Sequence, residues 1–191
     1  MVNGNVDPML SGIQKIIIYS TGALNRPFRN NVDIQKMMFL LSRAYPEKFS
    51  DYVFQQHKKG PYSESINESV AILGSSGYFY GSDFALSEKG YREYLNIRDH
   101  LVDYLKDSID DFKTLILQLS EDELLLFIYV NYPEYVHNSE VWDRLRENRL
   151  ELSISMLKKE AITVSSAAFV AGMNYFQFED ELRSRNLRWK S

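Results

Sequence analysis

The sequence predicts a mainly helical fold of the α+β class with one small antiparallel sheet, and three observations predict it. A tight basic turn, His57-Lys58-Lys59-Gly60-Pro61-Tyr62-Ser63, feeds a run in which Ile66, Val70 and Leu73 share one helical face. That run ends at Gly74 and Gly77. Two short apolar segments, Tyr78-Phe79-Tyr80 and Phe84-Ala85-Leu86, then flank Gly81-Ser82-Asp83, whose residues suit positive φ. From Ser87 onward nearly everything has helical periodicity. Helix, hairpin, helix is the order of a winged helix. Residues 1–105 are therefore expected to be winged-helix-like, and 106–191 a helical region packed on them, either as a second part or as one continuous domain.

Taken in order, Pro8 to Ala23 reads as a first helix with Leu10, Ile13 and Ile17 on one stripe and Gly22 at its end. Asp33 to Tyr45 is the second, with Ile34, Met37, Met38 and Leu41 at helical spacing and Pro46 stopping it. Tyr52–Gln56 is β-rich and short, a third strand for the sheet. Ser63 is placed to cap the helix after the basic turn, and Ser87 to start the next, which runs towards Leu105. Ser120 and Glu123 form a capping box ahead of Leu124–Val130, which Pro133 breaks. One long helix is expected from Ser139 to about Lys159, then two shorter ones after Thr163 and Asn174. Ala168, Gly172 and Phe178 suit a helix-turn-helix-like hairpin: a small residue where helices touch, glycine in the turn and an apolar anchor beyond it. The expected core includes Ile17, Met38, Leu41, Ile66, Val70, Leu73, Leu86, Leu125, Ile128, Leu145 and Phe169.

Composition narrows the function. There is no cysteine, hence no disulfide or thiolate metal site, and no basic-then-apolar leader, so a cytoplasmic protein is expected. The apolar runs are too short to cross a bilayer. The net charge of −4 is uneven: residues 1–60 carry eight basic and four acidic side chains, 61–160 ten and nineteen, 161–191 four and three. A polyanion would have to meet the two ends. The acidic run Asp103, Asp107, Asp110, Asp111 reads as a solvated helix face. His57, His100 and His137 stand apart with no ligand spacing, and there is no nucleophile elbow and no glycine-rich phosphate cradle. No catalytic residue, metal or other cofactor is expected, and the chain is read as a non-enzyme.

The remaining chemistry is basic. In a winged helix the segment after the turn can enter the major groove while nearby lysines hold phosphates. Asn67 could then read adenine, and the nucleic-acid-binding set is Lys58, Lys59, Ser63, Asn67, Arg183, Arg185, Arg188 and Lys190. Against this, Glu64 and Glu68 flank Asn67, and Gly81-Ser82-Asp83 carries no cation. The expected function is a non-enzymatic prokaryotic regulator that binds duplex DNA. The alternative is a protein-interaction or antitoxin-like module that uses the same fold without touching DNA. Its partner would be a toxin-like protein or a second copy in a homodimer. No membrane partner is expected in either case.

The stretches Asp33-Ile34-Gln35-Lys36-Met37-Met38-Phe39-Leu40-Leu41, Lys59-Gly60-Pro61-Tyr62-Ser63 and Leu86-Ser87-Glu88-Lys89-Gly90 resemble the Panacea/SocA-like group of prokaryotic proteins over roughly residues 10–100. That group carries an I/L-Q-K helix, a Gly-Pro turn and a late L-T/S-x-x-G. The resemblance implies an antitoxin-like or regulatory role without catalysis. Ser165–Phe178 is similar to the S-x-x-x-A-A-x-x-A-G-M box of small prokaryotic antitoxins with a C-terminal helix-turn-helix, although Ser166 and Ala167-Ala168 sit closer together than in that pattern.

Overall fold

The computed structural model describes residues 9–81 and 84–189; Pro8, Ser82, Asp83 and Lys190, all singled out above, lie outside the described residues. Ten α-helices and three short 3-10 turns make up the described chain. They fall into two compact units, one of residues up to Val53 with Ser63–Lys113, the other of Phe54–Tyr62 with Thr114 onward.

The first unit packs α1 (Gly12–Gly22), α2 (Asn31–Ala44), α3 (Glu64–Ser75) and α4 (Glu88–His100), and includes the first part of α5 (Asp103–Gln118). α1 opens with a capping box in which Ser11 and Gln14 exchange side-chain-to-backbone bonds. It packs against α2, α3 and α4, with Ile17 and Ile18 fully buried. α2 is buried on every side from Asp33 to Leu41, so its polar residues need internal partners. Asp33 takes the Arg29 guanidinium through two bonds of 2.8 and 2.9 Å. Gln35 clamps the backbone of Ser63, accepting from its N–H and donating to its carbonyl, each at 3.0 Å. Two of the stretches singled out in the sequence therefore meet in space: the Ile34-Gln35-Lys36 helix holds the chain just after the Gly60-Pro61 turn.

The C-terminal end of α1 is closed by a buried cation. Lys113 of α5 donates to the carbonyls of Ser20, Thr21 and Ala23 at 2.6, 2.7 and 2.8 Å, and its ammonium lies 4.7 Å from the centre of the Phe28 ring. A cation there satisfies carbonyls that a helix end leaves unpaired and suits the negative end of the helix dipole.

The expected sheet and winged helix are not present among the described residues. Among the described residues there is no strand, only two isolated antiparallel bridges, Gln55 with Tyr62 and Phe79 with Leu86. The segment 52–56 spends its pairing locally: Gln55 and Tyr62 exchange backbone bonds of 2.8 and 3.0 Å around the basic turn, leaving no third strand for a hairpin. Of the other two segments, Tyr80 N–H bonds Ala85 O and Ser87 N–H bonds Tyr78 O, and no strand forms. Tyr78 and Phe79, adjacent in sequence, are both buried, which a half-buried strand with alternating faces does not allow. The segment wraps α4 instead. Gly90, in the first turn of α4, explains the L-S-x-x-G motif: a Cβ there would lie 2.2 Å from the Tyr78 carbonyl oxygen. Only glycine admits that approach.

Other elements differ at their ends. Ser63 occupies the N-cap position of α3 but makes no capping bond with its side chain. Ser87 does cap α4, accepting from Gly90 N–H at 3.1 Å. The helix expected to run on to Leu105 breaks at Leu101 and Val102, before α5.

The second unit contains α6 (Glu121–Asn131), α7 (Trp142–Glu147), α8 (Arg149–Lys158), α9 (Val164–Ala171) and α10 (Tyr175–Ser184). The Ser120–Glu123 capping box forms as expected, and Lys159 binds the same carboxylate at 2.6 Å. Burial opposes the charge of Glu123, but bonds from Lys159, Ser155 and Ser120 outweigh it and hold the carboxyl below its usual range. The single long helix expected from Ser139 is two, separated at Asn148, while the Ser139 hydroxyl accepts from Val141 N–H in a preceding turn. Residues 54–62 are tied to this unit by Gln56 on the Glu134 carbonyl and Tyr135 on the Phe54 carbonyl.

α8, α9 and α10 enclose a small core of Ile154, Val164, Ala167, Ala168, Phe178 and Leu182. The buried residues of α9 are Val164, Ala167, Ala168 and Val170, and Phe169 lies outside them: it is 57% exposed, against its expected place in the core. Gly172 closes α9 in the left-handed region, φ 76°, and Asn174 opens α10 with a capping box to Gln177. The expected hairpin of two helices about a glycine turn is thus formed.

Candidate functional site

The basic residues are the first place to test the expected nucleic-acid surface. Lys58 forms an ion pair with Glu140, which raises its pKa. Lys59 is exposed beside it. Ser63 is 1% exposed and its backbone is held by Gln35, so it reaches no phosphate. Asn67 has both ends of its amide occupied: Oδ1 accepts from Asn31 at 2.8 Å, and Nδ2 faces Glu64 at 3.4 Å. Reading adenine requires that same donor–acceptor edge.

At the other end of the chain Arg183 is flanked by Glu179 and Asp180, and Arg185 by Glu151 and Glu181. The two carboxylates beside Arg185 raise its pKa further. Exposed ion pairs of this kind contribute little to stability. Their effect on a polyanion is larger, because each cation brings a carboxylate with it and the local charge is close to balanced. Arg188 is exposed and borders a cavity of about 760 Å³ between α8, α9, α10 and the segment Leu187–Trp189. Ser63 and Asn67 belong to the first unit; Lys58, Lys59 and the three arginines belong to the second.

The histidines are dispersed. His57 packs on Tyr62 with ring centres 5.1 Å apart, and His100 bonds the Asn96 carbonyl through Nδ1 at 2.8 Å. Among the described residues no group of His, Cys, Asp or Glu is placed to hold a metal ion. No helix among them is long and apolar enough to cross a membrane.

What the sequence reading missed lies on the α9–α10 hairpin. Phe169 is more than half exposed, and Phe176 is 76% exposed in the first turn of α10, its ring edge-on to Tyr175 at 5.9 Å. The signal was available for Phe176: Phe178 is the buried anchor, and a residue two positions away on a helix faces elsewhere.

Behind Phe169 the second unit holds an apolar cavity of about 490 Å³, between the end of α6, α7, the start of α8 and the α9 terminus. Arg149 borders it. Its Nε donates to the Val170 carbonyl at 2.7 Å and its Nη2 to the Phe169 carbonyl at 3.3 Å, and the guanidinium lies on Gly172, where a Cβ would be 3.1 Å from its central carbon. Burial lowers the pKa of Arg149, with no carboxylate offsetting it.

No family model matches the chain, and no curated protein or solved structure does either.

Proposed function

We propose that the chain is a non-enzymatic interaction module of prokaryotic, cytoplasmic and antitoxin-like type, which binds a protein partner through its α9–α10 hairpin. The observation that carries this reading is the exposed aromatic pair on that hairpin. Phe176 stands three-quarters in solvent beside Tyr175, while Phe178 of the same helix is fully buried. An exposed aromatic on a rigid helix loses little conformational freedom on docking and is the residue type that dominates interface energetics. The motif resemblances support the same class of role. The charge pattern supports protein over DNA: Lys58, Arg183 and Arg185 each sit against carboxylates, and the Asn67 edge is occupied.

The test compares wild type with Phe176→Asp as immobilised bait in an extract of the source cells. The reading expects a defined protein retained by wild type and lost with Phe176→Asp, with both baits giving the same circular dichroism spectrum. If the same proteins are retained by both, or duplex DNA is the only species retained, the reading fails.

A further inference from the structure

We infer that the cavity behind Phe169 is a binding site for a small apolar carboxylate, an aryl- or alkyl-carboxylic acid. This goes beyond the protein-docking role of the Phe176 face and does not depend on it.

The volume, about 490 Å³, is in the range that holds a small ligand. Its walls are mainly apolar and aromatic, with Trp142, Phe169, Met173, Val136 and Pro133, and His137 and Tyr129 also border it. Such walls take a ligand body by excluding water from it. No aspartate or glutamate borders the cavity, yet Arg149 does. Only two of the five N–H groups of its guanidinium are used, both on the last carbonyls of α9, and those on Nη1 have no partner among the described residues.

A cation beside an apolar cavity without its own counter-ion selects for an anionic group on the ligand, and a carboxylate matches the planar guanidinium. The carbonyls of Phe169 and Val170 hold that guanidinium in place, so it need not be ordered when ligand arrives. Gly172 contributes by lacking a side chain. Its left-handed backbone ends α9, and a Cβ there would stand only 3.1 to 3.2 Å from the guanidinium atoms. A methyl there would shift the guanidinium by a few tenths of an ångström.

The probes are 4-phenylbutanoate and its neutral amide, titrated into the whole ¹⁵N-labelled protein by two-dimensional NMR. The acid should shift the indole N–H of Trp142 and the amide of Gly172. The indole of Trp189, which borders a different cavity, should remain still. The amide should bind about 10- to 100-fold more weakly, the loss expected for a charge-assisted hydrogen bond. Because the acid–amide pair is compared on wild-type protein, the outcome does not depend on any variant folding. Arg149→Met should erase the difference between acid and amide, and Phe169→Ala, at an exposed position, should weaken both alike. Equal binding of acid and amide, shifts confined to Trp189, or no shift at millimolar acid would each overturn the proposal.

Discussion

Replacing Gly90 by alanine sets two effects of opposite sign against each other. Gly90 is in the first turn of α4, and in an exposed helix the change would stabilise by about 1 kcal/mol, because alanine loses less backbone freedom than glycine. Here the added Cβ would lie 2.2 Å from the Tyr78 carbonyl oxygen, 3.1 Å from its carbon and 3.2 Å from Leu86 Cδ2. The nearest atom is backbone and cannot rotate away, so Tyr78 and the first turn of α4 must separate by about 1 Å to restore contact distance. The same carbonyl accepts from Ser87 N–H at 2.9 Å, and that bond would be distorted. Overpacking costs about 1–3 kcal/mol and the weakened hydrogen bond about 1, against a propensity gain of about 1, which leaves a net loss of about 2 kcal/mol. In thermal unfolding that is a fall of about 4–8 °C for a chain of this size. Gly74→Ala in α3 is the control: nothing lies within 4 Å of its Cβ, so it should gain about 0.5–1 kcal/mol. Urea unfolding followed by circular dichroism gives both values. A Gly90→Ala protein as stable as Gly74→Ala would refute the close approach of Tyr78 and α4.

Further outcomes follow from the buried residues. Burial lowers the pKa of Lys36 and Lys113 to about 7, from 10.5 in the unfolded chain. Below pH 7 the folded state bears the full cost of the buried charge, and the cost is released as pH rises from 7 towards 10.5, so the urea midpoint should rise through that window. Lys36→Met should flatten the slope by up to about 1.4 kcal/mol per pH unit, and an unchanged slope would show that Lys36 does not titrate there. Leu73→Ala, at a fully buried position of α3, should cost about 2–5 kcal/mol in the same assay; a smaller loss would mean that the face is not packed. Ser120→Ala removes half of the α6 capping box and should cost about 1 kcal/mol, whereas a neutral result would place the N-terminus of α6 elsewhere.

Much of the helical frame was legible because its signals are local. The helices expected to begin at Ser87, Ser120, Thr163 and Asn174 do begin there, each capped by that residue, and Ile17, Ile66 and Leu73 are buried as their spacing implies. The sheet was misread because aromatic residues beside a glycine turn satisfy strand propensity and helix-wrapping equally well, and the choice is made by tertiary packing. In Tyr78-Phe79 the absence of alternation carried that information. The break at Asn148 has no glycine or proline to announce it. Phe169 was lost for a different reason: in the run Val164–Ala171 any residue is apolar enough for a core, and only the phase of the small residues shows which face is inside. Of the site, the basic residues were visible, but the carboxylates that balance them come from distant positions, as Glu140 does for Lys58 and Glu151 for Arg185. The cavity beside Arg149 depends on residues from 129 to 173 and has no motif.

The central claim is that these basic side chains do not form a phosphate-tracking surface. Fluorescence anisotropy with a labelled mixed-sequence duplex, titrated at a series of salt concentrations, measures it directly. The account predicts no saturable binding at low salt, and no difference between wild type and a protein carrying both Lys58→Ala and Lys59→Ala. Binding with a log–log salt slope of about −3.6, the value for four phosphates, flattened by about 2 in the double variant, would contradict it.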